Sequence, residues 1–239
     1  MLPMLTPEER EAMLAIHWFH RIQLDQDTVT PGDCPHTAAD ATARFGLPED
    51  LSGKTVLDIG AWDGLFTFEA ERRGAQVLAL DTSPEKGGNW GGTAGFEFAR
   101  RHLGAQAKFQ EGSVHELAPA THGRFDYVFF FGVLYHLTDP VDALRRVAAV
   151  TKECCLIETA YSTHPDGYSR PIWEFKHGHD NDPTNYWYPT IAGLAAVLRL
   201  AGFVDANVLY SQNGRLTVRA FPPPGPAWSR AANASEPPG

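Results

Sequence analysis

The stretch Thr55-Val56-Leu57-Asp58-Ile59-Gly60-Ala61-Trp62-Asp63-Gly64 decides the fold. Val56, Leu57 and Ile59 make a short apolar run of the kind that forms a strand buried on both faces. The acid Asp58 sits within it, and two glycines, Gly60 and Gly64, follow. Leu65 to Arg73 then has helical character and stops at Gly74. Strand, glycine turn and helix in this order bring backbone N–H groups and a helix N-terminus to the carboxyl end of a parallel strand. Open α/β sheets bind their ligands there.

The same rhythm continues downstream. Gln76–Asp81 reads as a second buried strand ending in an acid, Ala107–Gln110 as a third, Phe125–Phe131 as a fourth and Glu153–Glu158 as a fifth. Asp139-Pro140 opens a helix with Val141, Leu144, Val147 and Ala148 on one face; Thr190 caps another, with Ile191, Leu194, Val197 and Leu198 inward and Gly202 at its end. Val204–Tyr210 and Arg215–Phe221 flank Gln212-Asn213-Gly214, and Asn-Gly between apolar runs signals a hairpin. A parallel α/β sheet ending in an antiparallel C-terminal hairpin is expected over 51–221, with 161–189 as a loop closing over the site. Upstream, Thr6-Pro7-Glu8-Glu9 forms a capping box, predicting a helix to about Phe19 that carries His17-Trp18-Phe19-His20. Residues 21–36 read as a loop and Ala38–Phe45 as a second short helix. Residues 1–50 are therefore expected as a helical N-terminal cap, and 222–239, rich in Pro, Ala and Ser, as a disordered tail.

Composition narrows the partners. The 239 residues carry a formal net charge of −9, and no Lys/Arg run exceeds two, which disfavours nucleic acid. Cys34, Cys154 and Cys155 suit buried reduced thiols in a cytoplasmic protein rather than a disulfide framework. No signal peptide is expected from the opening residues, and Tyr127–Tyr135, the longest apolar run, is too short to cross a bilayer. No feature specifies an oligomeric state.

A dinucleotide fold would carry Gly-x-Gly-x-x-Gly after its first strand, and a phosphate-binding Walker loop would carry Gly-Lys-Ser/Thr; neither is present. Asp81 instead ends the second strand, where a carboxylate can take both hydroxyls of a ribose. Asp58, near the positive end of the following helix, can organise an ammonium group or the turn itself.

These residues resemble the class I S-adenosylmethionine-dependent methyltransferases, whose acid-x-Gly-x-Gly-x-Gly motif is matched by Asp58, Gly60 and Gly64, with Trp62 in place of the middle glycine. The resemblance implies a Rossmann-like, doubly wound, mostly parallel sheet. It also implies S-adenosyl-L-methionine contacts from Asp58, Gly60, Ala61, Trp62, Gly64, Asp81, Thr82, Ser113, Val114, Phe131 and Tyr135. Phe131-Gly132-Val133-Leu134-Tyr135-His136, Glu158-Thr159, Asn185, Pro189-Thr190 and Gly202-Phe203 resemble the branch containing the tRNA wobble-uridine carboxymethyltransferases. Trp18-Phe19-His20, Thr30-Pro31-Gly32 and Asn181 to Trp187 are similar to bacterial small-molecule and sugar methyltransferases of that branch. The implied activity is methyl transfer to O or N of a small metabolite. A tRNA carboxymethyltransferase and a non-catalytic cofactor-binding module are the alternatives.

Several residues carry two readings. His136 is a base for a protonated nucleophile or a structural histidine. Glu158 is an alternative base, a substrate anchor or a plain strand-end acid. Tyr135 shapes the pocket or fills the core. Asn185, Trp187 and Tyr188 form a substrate wall, or the two aromatics seal the core. His17 and His20 belong to a helical lid touching substrate, or pack the cap. The His177-Gly178-His179-Asp180 group lacks a second ligand set at metal-binding spacing, so no metal is expected. Trp62 either turns its ring away from the cofactor or helps form the pocket.

Overall fold

The computed structural model describes residues 3–34, 36–82 and 93–224. The elements are α1 (Pro7–Leu14), α2 (Asp40–Ala43), β1 (Thr55–Ile59), α3 (Leu65–Arg72), β2 (Gln76–Asp81), α4 (Ala94–Leu103), β3 (Lys108–Glu111), α5 (Pro119–His122), β4 (Phe125–Phe131), α6 (Pro140–Val150), β5 (Thr151–Ala160), β6 (Trp173–Phe175), β7 (Trp187–Pro189), α7 (Ile191–Ala201), β8 (Asp205–Gln212) and β9 (Arg215–Phe221). Seven strands form one sheet in the order β3-β2-β1-β4-β5-β9-β8. The first five run parallel, and β9 joins β5 antiparallel and pairs β8 antiparallel. This is a Rossmann-like, doubly wound sheet. Its strand order reverses between β1 and β4, which opens a crevice at the carboxyl ends of those strands.

The apolar strands bury side chains on both faces because helices cover both. Val56, Ala79, Phe129, Phe131 and Leu156 face one core with Phe68, Phe96 and Ala99. Leu57, Leu80, Val128, Phe130 and Ile157 face the other, with Leu144 and Val147 of α6 and Leu194 and Leu198 of α7. Successive strand residues alternate between the two cores, so the strands read as unbroken apolar runs. Residues of the N-terminal segment, Trp18, Leu24, Phe45 and Leu47 among them, share the first core.

Three details differ from expectation. The first helix stops at Leu14, not near Phe19: Trp18 donates its indole N–H to the Met13 carbonyl at 2.8 Å, and a carboxylate elsewhere takes the amides of Phe19 and His20. The Trp18–His20 segment is therefore not helical, and among the described residues of the first 50 the α-helices are α1 and the single turn α2. The 161–189 loop contains a second, two-stranded sheet, in which Trp173–Phe175 pairs antiparallel with Trp187–Pro189. Three-residue strands are too short for alternation to register. Helix α4 lies between β2 and β3, where the sequence carried no clear cap. In the C-terminal hairpin, Asn213 and Gly214 have φ of 51° and 71°, the left-handed pair that a tight hairpin turn requires. Of the expected tail, residues 225–239 lie outside the described residues. Among those described, no helix is long and apolar enough to cross a membrane.

Candidate active site

The β1–α3 turn is shaped by its backbone. Gly60 has φ of 74°, and a Cβ there would lie 2.3 Å from Val133 Cγ2, so no larger residue fits. Gly64 serves packing instead: its added Cβ would meet the Phe68 and Phe96 rings at 2.5 and 2.8 Å, and it does not line the cavity in front of the turn. Ala61 is likewise buried and off the cavity wall. Trp62 has φ of 51°, the left-handed backbone that costs a non-glycine residue about 1–2 kcal/mol. Its ring stacks on Phe19 with centroids 4.3 Å apart and planes 19° apart, and both rings line the cavity. Trp62 thus helps form the pocket.

Two carboxylates close this end. Asp81 accepts the Trp62 backbone N–H on Oδ2 and the Thr82 N–H on Oδ1, each at 2.7 Å. The carboxylate keeps lone-pair capacity for a hydroxyl donor. Burial raises the Asp81 pKa against the hydrogen bonds from the Trp62 and Thr82 amides and the Thr82 side chain. Asp58 is 2% exposed and accepts from Thr67 Oγ1 at 2.6 Å. Burial pushes its carboxyl up to about 6 despite that bond and the nearby His20.

Asp63 carries a function that sequence reasoning missed. It is buried, accepts the backbone N–H groups of Phe19 and His20 at 2.8 Å each, and pairs through Oδ1 with His20 Nδ1. The turn after β1 thereby holds the Phe19–His20 segment over the cavity. His20 lies on the wall, whereas His17 is exposed beside Asp33 and off it.

The cavity occupies about 1060 Å³. Asp58, Gly60, Trp62, Asp81, Thr82, Ser113 and Val114 line one end. Toward β5 and β9 the wall is formed by Arg44, Phe45, Phe131, Tyr135, His136, Glu158, Asn185, Tyr188 and Arg215, with others. Phe45, Phe66 and Phe131 pack as an aromatic floor, with centroids 4.5 to 5.1 Å apart.

His136 sits in a short turn after β4. Thr184 Oγ1 donates its single proton to Asp182 Oδ1 at 2.6 Å, so toward His136 Nδ1, 2.9 Å away, it accepts. Nδ1 also lies 3.2 Å from the Thr184 carbonyl. Both contacts put the ring proton on Nδ1 and leave Nε2 as the basic nitrogen. Burial lowers the His136 pKa, so the ring is neutral at neutral pH.

Besides Gly64 and Ala61, Glu158 and Trp187 are placed differently from expectation. Glu158 is engaged by a side chain: both its oxygens accept from Arg215, at 2.6 Å each, in a bidentate pair that competes with a role as base. Trp187 does not line the cavity; it packs against Phe175 in the small sheet, at 5.0 Å. Tyr188 and Tyr135 do line it, with rings 6.2 Å apart. Asn185 donates Nδ2–H to the His179 carbonyl at 2.8 Å, and its buried Oδ1 has no hydrogen-bond partner among the described residues. Among those residues no group of three or more His, Cys, Asp and Glu side chains is placed to hold a metal ion. Arg44, His36 and Arg215 were not singled out from the sequence, because nothing in their local pattern marks them.

A family model described as a methyltransferase domain matches residues 32–208. The chain is 30% identical over 177 residues to a tRNA U34 carboxymethyltransferase of Pseudomonas paraeruginosa, covering 69% of this chain and 49% of that protein. It is 35% identical over 106 residues to a ubiquinone biosynthesis O-methyltransferase of Xanthomonas euvesicatoria pv. vesicatoria, covering 43% of this chain and 41% of that protein. The chain spans about half the length of the curated relatives it matches. Among solved structures, the N-terminal domain of EvdMO1, crystallised in the presence of SAH and D-fucose, is similar with a TM-score of 0.68 at 24% identity. That match covers 90% of this chain and 95% of the other.

Proposed function

The chain belongs to the methyltransferase-domain family, and we propose that it catalyses S-adenosylmethionine-dependent methyl transfer to an oxygen or nitrogen of a small molecule. The observation that carries this reading is Asp81, a strand-end carboxylate held on the cavity wall by two backbone N–H groups. The residues present fit the cofactor. Asp81 offers free lone pairs to a ribose diol, Asp58 offers a carboxylate to an ammonium group, and Trp62 with Phe19 supplies an apolar wall. The cavity, at about 1060 Å³, lies at the upper end of the roughly 300–1,000 Å³ typical of small-molecule and cofactor sites.

The cofactor supplies, when bound, a methyl group already activated on a sulfonium. The chain's own work is then alignment, exclusion of water and removal of a proton from the acceptor. The Phe19–His20 segment, strapped by Asp63, covers the cavity beside the turn. His136 Nε2 takes the acceptor's proton, while the Thr184–Asp182 pair holds the ring in the right tautomer. Glu158 and Arg215 neutralise each other and keep the Tyr135 ring in place, the guanidinium carbon lying 4.8 Å from that ring's centre.

Incubation with methyl-labelled S-adenosylmethionine and a low-molecular-weight metabolite extract tests the reading. Label in a small product, lost in His136→Ala, is the expected result; label in no product contradicts it. A second reading, modification of tRNA, is favoured by the 30% identity to a tRNA U34 carboxymethyltransferase. Binding and labelling of bulk tRNA at low salt, without any small-molecule product, would select it.

A further inference from the structure

Arg44 follows the single-turn helix α2 and lies on the cavity wall toward β5 and β9. Its guanidinium carbon is 5.4 Å from the centre of the Phe45 ring and 4.9 Å from that of Tyr210, and its side chain is only 18% exposed. Among the described residues, the carboxylate ion-paired with it is Glu158, at 3.7 Å. That contact is loose because both oxygens of Glu158 are engaged at 2.6 Å by Arg215. Two guanidinium groups therefore share one carboxylate, and the tight bidentate geometry belongs to Arg215. The lysine on the wall, Lys176, is already paired with Glu174 at 3.0 Å. His36 Nδ1 lies 3.4 Å from Arg44 Nη1 and contributes no charge, since burial and the Arg44 charge together lower its pKa. Finally, Arg44 Nε is buried and has no hydrogen-bond partner among the described residues.

A guanidinium carries five donors in a planar fork and keeps its charge at any working pH. Withdrawn from water without a carboxylate of its own, it stands at a net cost, and the geometry it presents suits a planar anion. The cavity gives access to one. Arg44 lies against the Phe45 ring, which packs on Phe131, and the same cavity wall carries Tyr135 and Tyr188, which suits an apolar or aromatic body attached to the anion.

We propose that the methyl acceptor is an organic carboxylate, its carboxylate seated on Arg44 and its apolar body against Phe45 and Tyr135. The acceptor's charge then completes the Arg44–Glu158–Arg215 cluster. The word acceptor rests on the methyl-transfer reading above; the anion site itself does not.

The test uses the full chain saturated with S-adenosylhomocysteine and titrates benzoate against its uncharged isostere benzamide, followed by calorimetry. Wild type is expected to bind benzoate at least about tenfold more tightly than benzamide, the scale of a charge-assisted hydrogen bond. Arg44→Gln is expected to bring the two within about twofold while keeping its affinity for S-adenosylhomocysteine. Should Arg44→Gln fail to fold, Arg44→Lys carries the test: the preference is expected to fall at least about threefold, because a point charge replaces the fork. Equal affinity for both probes in wild type, or an undiminished preference in the folded variant, overturns the proposal. So does an Arg44-dependent gain seen only with a carboxylated analogue of the cofactor, since the anion would then belong to the donor. Failure of S-adenosylhomocysteine to bind wild type strikes the methyl-transfer reading instead. An Arg44-dependent benzoate preference measured without that ligand would survive such a failure.

Discussion

At the β1–β2 end of the cavity, most of the wall groups come from two neighbouring strand ends and the turn that follows the first, with Ser113 and Val114 added from beyond β3. Asp58, Gly60, Trp62, Asp81 and Thr82 lie within 25 residues of one another, and backbone N–H groups hold the key carboxylate. At the β5–β9 end, Arg44, Tyr135, Glu158, Tyr188 and Arg215 come from five separated parts of the chain, and side chains hold one another. A backbone-built site tolerates changes in the side chains around it. A site built from paired charges fails when one partner is removed.

That contrast is open to test. The largest effect is expected at the charge cluster. Glu158→Ala leaves the partly buried Arg215, whose side chain is 27% exposed, without its counter-ion, and stability should fall by about 3 kcal/mol in denaturant unfolding, the low end for a buried pair; a loss below about 1 kcal/mol would place the pair in water-like surroundings. Next is Asp63→Ala, which strands the amides of Phe19 and His20 and should cost about 2–3 kcal/mol. Hydrogen exchange at those two amides should accelerate with it, and unchanged protection would show that the segment is held by other contacts.

Asp58 sharpens the backbone side of the comparison through pH. Its carboxyl, raised by burial to about 6, takes up a proton on folding between the unfolded value near 3.8 and that point. Its contribution to stability is thus fully present below the unfolded value and is lost as pH rises through about 6. Asp58→Asn should be more stable than wild type at pH 8, by no more than about 2 kcal/mol after loss of the Thr67 bond, with the gain shrinking toward pH 5. A gain that does not change with pH would remove the buried charge as its cause.

The smallest effect is at Thr184→Val. Without the hydroxyl the His136 tautomer is held less firmly, and kcat/KM should drop by about tenfold with little change in KM. Because burial lowers the His136 pKa, the rising limb of the wild-type pH profile should have its midpoint below the ordinary histidine value. A midpoint at or above that value would count against His136 as the base.

The same contrast explains what the sequence revealed. Strand, turn and acid at 55–64 and 76–81 were legible because their meaning is local: a buried strand, a glycine that must adopt positive φ, an acid at a strand end. The position of the Trp62 ring was not, since Phe19, its stacking partner, lies in a distant segment. Asp63 looked like an ordinary turn residue for the same reason, as the amides it binds are 43 and 44 residues upstream. Helix α1 was read too long because aromatic residues after Leu14 continued a plausible pattern, while tertiary hydrogen bonds redirected the chain. The small sheet at β6 and β7 left too short a pattern to see. Arg44 and Arg215 belong to no motif, and only the folded chain brings them to one carboxylate. Glu158 was visible as a strand-end acid, but Arg215, which engages both its oxygens, was not.

Binding of the methyl donor through the carboxylate that ends β2 is tested most directly by calorimetric titration of S-adenosylhomocysteine into wild type and Asp81→Ala. Clear binding to wild type, weakened at least about tenfold in the variant while the fold is retained, is the predicted result. Equal affinity in the two proteins, or no binding to wild type, would contradict it.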